Sequence, residues 1–83
     1  DEGSEEQVRK AIRKSIENLP DRCKMIFKLN RQEGLTYQEI AEVLDISIKT
    51  VETQMTRALK QLREELGHYL QIMVPFIISA MTF

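Results

Sequence analysis

The sequence predicts an all-α fold: a small four-helix domain containing a helix-turn-helix, followed by an apolar C-terminal tail helix. Three observations carry this. Apolar residues recur at three- and four-residue spacing, with no run of strand-like alternation. Glycine and proline are scarce, at 3 and 2 of 83 residues, and fall at the joints between periodic segments. Helix-start signals of the Ser/Thr-x-x-Glu/Gln kind stand at Ser4 to Gln7 and at Thr36 to Glu39. The expected organisation is a domain over 1–68 and a tail over 69–83.

The first helix is expected over about residues 5–18, capped by Ser4, with Val8, Ala11, Ile12, Ile16 and Leu19 on its apolar side. The second, about 20–33, opens at Pro20, which suits a first helical position because the missing N–H has no partner there. Its stripe is Cys23, Ile26, Phe27 and Asn30, with Met25 and Leu29 beside it, and Gly34 closes it in a left-handed cap. The third, about 36–44, carries a capping box from Thr36 to Glu39 and a hydrophobic staple between Leu35 and Ile40. Tyr37, Ile40, Ala41 and Leu44 face inward. Asp45 follows, in a turn that needs a positive φ. The fourth helix, about 47–66, starts after Ser47, with Ile46 and Val51 as a second staple. Ile48, Val51, Met55, Ala58, Leu59, Leu62 and Leu66 form its apolar side, and Gly67 closes it.

Composition limits the function. At 42% hydrophobic and 30% charged residues, the chain is a folded domain and not a disordered tail. Twelve Lys and Arg against thirteen Asp and Glu give a net charge of −1, which excludes a bulk polycation but leaves room for a local basic stripe. One cysteine, Cys23, excludes an internal disulfide and reads as a core thiol. One histidine, His68, reads as a helix-end residue facing the negative pole of the helix. There is no phosphate-binding glycine loop, no metal-ligand cluster and no nucleophile–base pair. No enzymatic activity, cofactor or metal is expected. The acidic lead-in, Asp1 to Glu6, with no initiator methionine, reads as the start of a fragment of a longer chain.

Two helices joined by a three-to-four-residue turn, the second one long and Ser-capped, make a helix-turn-helix pattern. Small Ala41 lets the two cross closely, and Ile46 plugs the turn. Burying one side of the fourth helix exposes the other, which carries Lys49, Thr53, Thr56, Arg57 and Lys60. Such a face suits the major groove of DNA. Arg57 is the candidate for bidentate contact with guanine. Glu52 accepts from cytosine or steadies Lys49 or Thr56. Thr53 and Thr56 donate to a base or touch a thymine methyl. Candidates for phosphate contact are Thr36 and Tyr37 at the start of the third helix, and Lys49, Thr50 and Lys60 on the fourth.

Leu19-Pro20-x-Arg22, Glu33-Gly34-Leu35-Thr36-Tyr37-Gln38-Glu39-Ile40-Ala41-Glu42-x-Leu44, Ile46-Ser47-x-x-Thr50-Val51 and Arg57-Ala58-Leu59-x-x-Leu62-Arg63 follow in order. This series resembles domain four of bacterial sigma factors, in particular the extracytoplasmic-function group, over about Val8 to Leu66. The resemblance implies a cytoplasmic domain that docks on core RNA polymerase and reads the −35 promoter element, with Glu52, Thr53, Thr56 and Arg57 at the base-facing positions. Asp45 stands where that family usually carries glycine. The fourth helix is less basic than is common there. Two other classes share features: the LuxR-type output domain of a response regulator, through Ile46-Ser47-x-x-Thr50-Val51-Glu52, and a protein-interaction module with vestigial DNA contact.

The tail from Tyr69 to Phe83 has no charged residue and is too short to span a membrane. A short helix starting near Pro75 is expected there. Ile72, Met73, Phe76, Ile77 and Ile78 either extend the core of the chain or meet a partner, for which an anti-sigma factor, the polymerase flap and a second copy of the chain in a homodimer are the candidates.

Overall fold

A computed structural model describes the backbone of residues 2–81 and the side chains of residues 5–67. It is all-helical, with no strand among the described residues. Its elements are α1 (Glu2–Glu17), α2 (Asp21–Arg31), α3 (Tyr37–Leu44) and α4 (Ile48–Met81).

Helix α1 begins before Ser4, which therefore lies inside the first turn and does not cap it. Acidic side chains near a helix start meet its positive pole. Two of them also bind forward along the helix, Glu5 to Arg9 at 2.8 Å and Glu6 to Arg13 at 3.3 Å. The chain leaves α1 through Leu19, which is buried. Pro20, at φ −54° and ψ 146°, is the extended residue just before α2, one place earlier than a first helical position. Its fixed φ is compatible with both places; the extended ψ is what turns the chain.

Glu17 clips this corner. Its carboxylate lies 2.6 Å from the Lys28 ammonium and 3.5 Å from that of Lys24, and Lys24 also donates to the Glu17 carbonyl at 3.1 Å. The hydrogen bond from Lys28, then the charges of Lys28 and Lys24, hold the Glu17 carboxyl below its usual range. A lowered folded-state pKa means that the clip contributes above the ordinary glutamate value and is lost as pH falls through the folded value. Acid melting series should therefore show wild type and Glu17→Gln differing at pH 7 and converging as pH falls through and below the ordinary glutamate range. A difference that persists unchanged at pH 3 would contradict the clip.

Gly34, at φ +75°, turns the chain out of α2 in a conformation that glycine adopts freely. The Asn30 amide donates to the Leu35 carbonyl at 2.9 Å, so this polar member of the α2 stripe fastens the connection. Thr36 and Glu39 cap α3 reciprocally: Glu39 N–H donates to Thr36 Oγ1 at 3.1 Å, and Thr36 N–H donates to Glu39 Oε1 at 2.8 Å. Asp45 ends α3 in the left-handed region at φ 54°, with its N–H reaching the carbonyls of Ala41 and Glu42. The Ile46 N–H returns to the Ala41 carbonyl at 3.0 Å. Ser47 Oγ accepts from the Thr50 N–H at 3.0 Å and opens α4.

Helix α4 packs against each of the other three. Val51, Met55, Ala58, Leu62 and Leu66 meet Leu19 and the α2 residues Cys23, Ile26 and Phe27, together with Ile40 and Ala41 of α3, in one core. Ser15 is also buried, and among the described residues no buried side-chain polar atom lacks a partner. Ile48, expected on the apolar side of α4, is instead exposed: it is the first residue of the helix and sits at the rim of an open hollow beside α3.

Helix α4 also runs on through Gly67 and Pro75 to Met81, where the sequence pattern ends it near Leu66 and starts a separate helix near Pro75. A lone glycine costs a helix about 1 kcal/mol without ending it, and a proline removes one backbone hydrogen bond. The apolar residues Ile72, Met73, Phe76, Ile77 and Ile78 lie outside the described side chains. Among the described residues no helix is long and apolar enough to cross a membrane.

Candidate nucleic-acid interface

Two turns and two caps set the site. The left-handed Asp45 and the Ser47 cap fix where α4 leaves α3, and Ile40, Ala41 and Val51 lock the two helices together in the core. Successive residues of a helix are rotated by about 100°. The row Val51, Met55, Ala58, Leu62 faces inward, so Lys49, Thr53, Thr56, Arg57 and Lys60 are carried to the opposite side. All five are exposed, and so is Glu52 on the flank of this face.

The electrostatics divide sharply. Among the described residues, every ion pair lies on α1 and α2, using Arg9, Arg13, Lys24 and Lys28 with Glu5, Glu6 and Glu17. Lys49, Arg57 and Lys60 hold no carboxylate within pairing distance among those residues. Lys24, by contrast, is committed to Glu17.

Other side chains on this surface are already engaged, which narrows what each can offer. The Thr53 hydroxyl donates to the Lys49 carbonyl at 3.0 Å, so Thr53 presents its methyl and its oxygen lone pairs outward. The Thr50 N–H is taken by Ser47, and the two hydroxyls lie 2.9 Å apart. The first turn of α4 therefore offers the N–H groups of Ile48 and Lys49. Thr36 is likewise spent on its cap, which leaves the Tyr37 and Gln38 N–H groups at the start of α3.

Arg57 and Lys60 share an open cleft of about 500 Å³ with Pro20, Cys23, Gln54, Gln61 and Glu64, the last beyond pairing distance of either cation. Cys23 is buried at its back, with Sγ donating to the Gln54 carbonyl at 3.2 Å across the α2–α4 seam. Burial raises the Cys23 thiol pKa, and the nearby Arg57 charge partly opposes this. The thiol is thus a packing group at neutral pH. Gln61 donates to the Asn18 carbonyl at 3.2 Å and holds α4 to the end of α1.

A helix-turn-helix with this arrangement has known relatives. The family described as "Sigma-70, region 4" matches residues 9–62, which span all of α2 and α3, the turn between α3 and α4, and the exposed face of α4. The chain belongs to the sigma-70 region 4 family.

Individual members agree. The chain is 36% identical over 53 residues to the ECF RNA polymerase sigma-E factor of Escherichia coli K12, and to that of Salmonella typhimurium LT2, matching 64% of this chain and 28% of theirs. It is 37% identical over 60 residues to the RNA polymerase sigma factor FliA of Escherichia coli K12, matching 72% of this chain and 25% of that one. The chain thus spans about a quarter of the length of the curated relatives it matches.

Within this region 4 domain, Glu52, Thr53, Thr56, Arg57, Lys49 and Lys60 share one exposed surface of α4. Thr50 is half-buried at its start, and Thr36 and Tyr37 stand at the start of α3. Pattern reasoning did not pick out Gln54 and Gln61, whose backbone carbonyl and side-chain amide anchor the helix. Glutamine has no periodic signature, and both bonds reach residues distant in sequence.

Proposed function

We propose that this domain binds promoter DNA as the −35-reading part of an RNA polymerase sigma factor, directing transcription initiation in the cytoplasm with core RNA polymerase as its partner. The observation that carries this is the outer side of α4, where exposed cations and threonines stand with no internal ionic partner opposite the buried row. Arg57 reads a guanine, Glu52 a cytosine, and Thr53 and Thr56 the neighbouring bases. Lys49 and Lys60, with the free N–H groups of the two helix starts that Thr36, Tyr37 and Thr50 shape, hold phosphates and set the register. The uncharged stretch over 69–83 either extends the core of the chain or contacts a partner, an anti-sigma factor or a second copy.

Salt dependence tests the groove reading. Binding to duplexes that contain the selected element should weaken steeply with salt. Lys60→Ala should reduce the slope of log affinity against log salt by about 1 and weaken all duplexes about equally. A salt-independent interaction, or no preference among duplexes, would contradict it.

A further inference from the structure

Three large apolar side chains are exposed among the described residues: Met25 at 48%, Val43 at 66% and Ile48 at 44%. Only Ile48 belongs to α4. At four-residue spacing, Ile48, Glu52 and Thr56 form a single ridge along that helix. Ile48 is the N-terminal end of the ridge, and the N-terminal residues of a recognition helix are those that go deepest among base edges. Beside it is an open hollow of about 410 Å³ bordered by Gln38, Ala41, Glu42, Asp45, Ile46 and Ser47, and these neighbours leave the side chain 44% exposed. A β-branched residue gains nothing here from helix propensity, and Ile48 adds little to the core. Its polar neighbours, Glu52 and Lys49, can hydrogen-bond to bases or phosphates. Ile48 can offer only apolar contact, and in the major groove the single apolar feature of a base pair is the thymine C5-methyl.

We propose that Ile48 is a specificity-determining residue that packs on a thymine methyl, so that the DNA element carries a required thymine where the start of α4 enters the groove. This deepens the promoter-binding reading above and rests on it.

The test uses the full chain and a site chosen by it from a random duplex library. Each thymine of that site is then replaced singly by uracil, which removes the methyl and keeps every hydrogen bond. Wild type should lose about fourfold in affinity at one thymine. Ile48→Ala should bind the unmodified site about fourfold more weakly and show no uracil penalty at that position, whereas Ile48→Val should keep part of it. Circular dichroism and thermal melting should show both variants folded, since the side chain lies outside the core. Indifference of wild type to uracil at every position, or an unchanged penalty in Ile48→Ala, overturns the proposal. If Arg57→Ala still shifts the selected sequence in that case, the promoter-binding reading survives. Failure to select any site overturns both.

Discussion

Arg57→Ala should weaken binding to the selected element by about 1–3 kcal/mol, roughly five- to 150-fold, and relax the preference at one base pair. The side chain is exposed, and among the described residues it pairs with no carboxylate. Its removal therefore leaves no buried charge stranded, and melting temperature should barely move. Arg57→Lys separates charge from shape: the ammonium keeps the attraction for phosphate but lacks the planar fork that fits a guanine edge. It should retain non-specific affinity and still lose the preference. Binding curves against a panel of single-base variants give the answer. Equal loss on every variant would move Arg57 from base reading to phosphate contact, and no loss at all would exclude it from the interface.

Ile40→Ala should cost about 2–5 kcal/mol of unfolding free energy, a large share of the roughly 5–15 kcal/mol typical of natural domains. Ile40 is fully buried, and α3 has only eight residues with which to hold its place. With Ala41 it makes up the buried contribution of that helix to the core. Truncation leaves a cavity between α3 and α4 that a short, capped helix cannot collapse without releasing its turn. Urea unfolding measures the loss. DNA affinity should fall in parallel, because the orientation of α4 depends on the same contact. Ile40→Val, costing about 0.5–1.5 kcal/mol, keeps the fold and grades the effect. A cost near zero for the alanine variant would mean that α3 is held by its caps alone.

Local chemistry was the most readable part of the sequence. The Thr36–Glu39 box, the positive φ of Gly34 and Asp45, and the buried row of α4 each follow from residue type and spacing within a few positions. The departures come from competition between weak local signals and longer-range effects. Ser4 is a good cap, yet the helix extends past it into an acidic start that the helix dipole tolerates equally well. Gly67 resembles a terminator, but a single glycine is too weak to stop a long helix. Ile48 fits the apolar period, but period alone does not reveal that its neighbours leave it open to solvent. In the candidate interface, the outward residues could be read from the opposite, buried side. The loss of the Thr53 hydroxyl to the Lys49 carbonyl could not, because it depends on a rotamer and not on spacing.

The segregation of ion pairs onto α1 and α2 has a bearing on how such a domain changes over generations. No described carboxylate on the scaffold depends on Lys49, Arg57 or Lys60 for its charge balance, so the outer residues of α4 can be exchanged without reopening the architecture beneath. Address and chassis are written in different letters of the same helix. A lineage can therefore change the outer face of α4 through a few exposed substitutions while inheriting an unaltered framework.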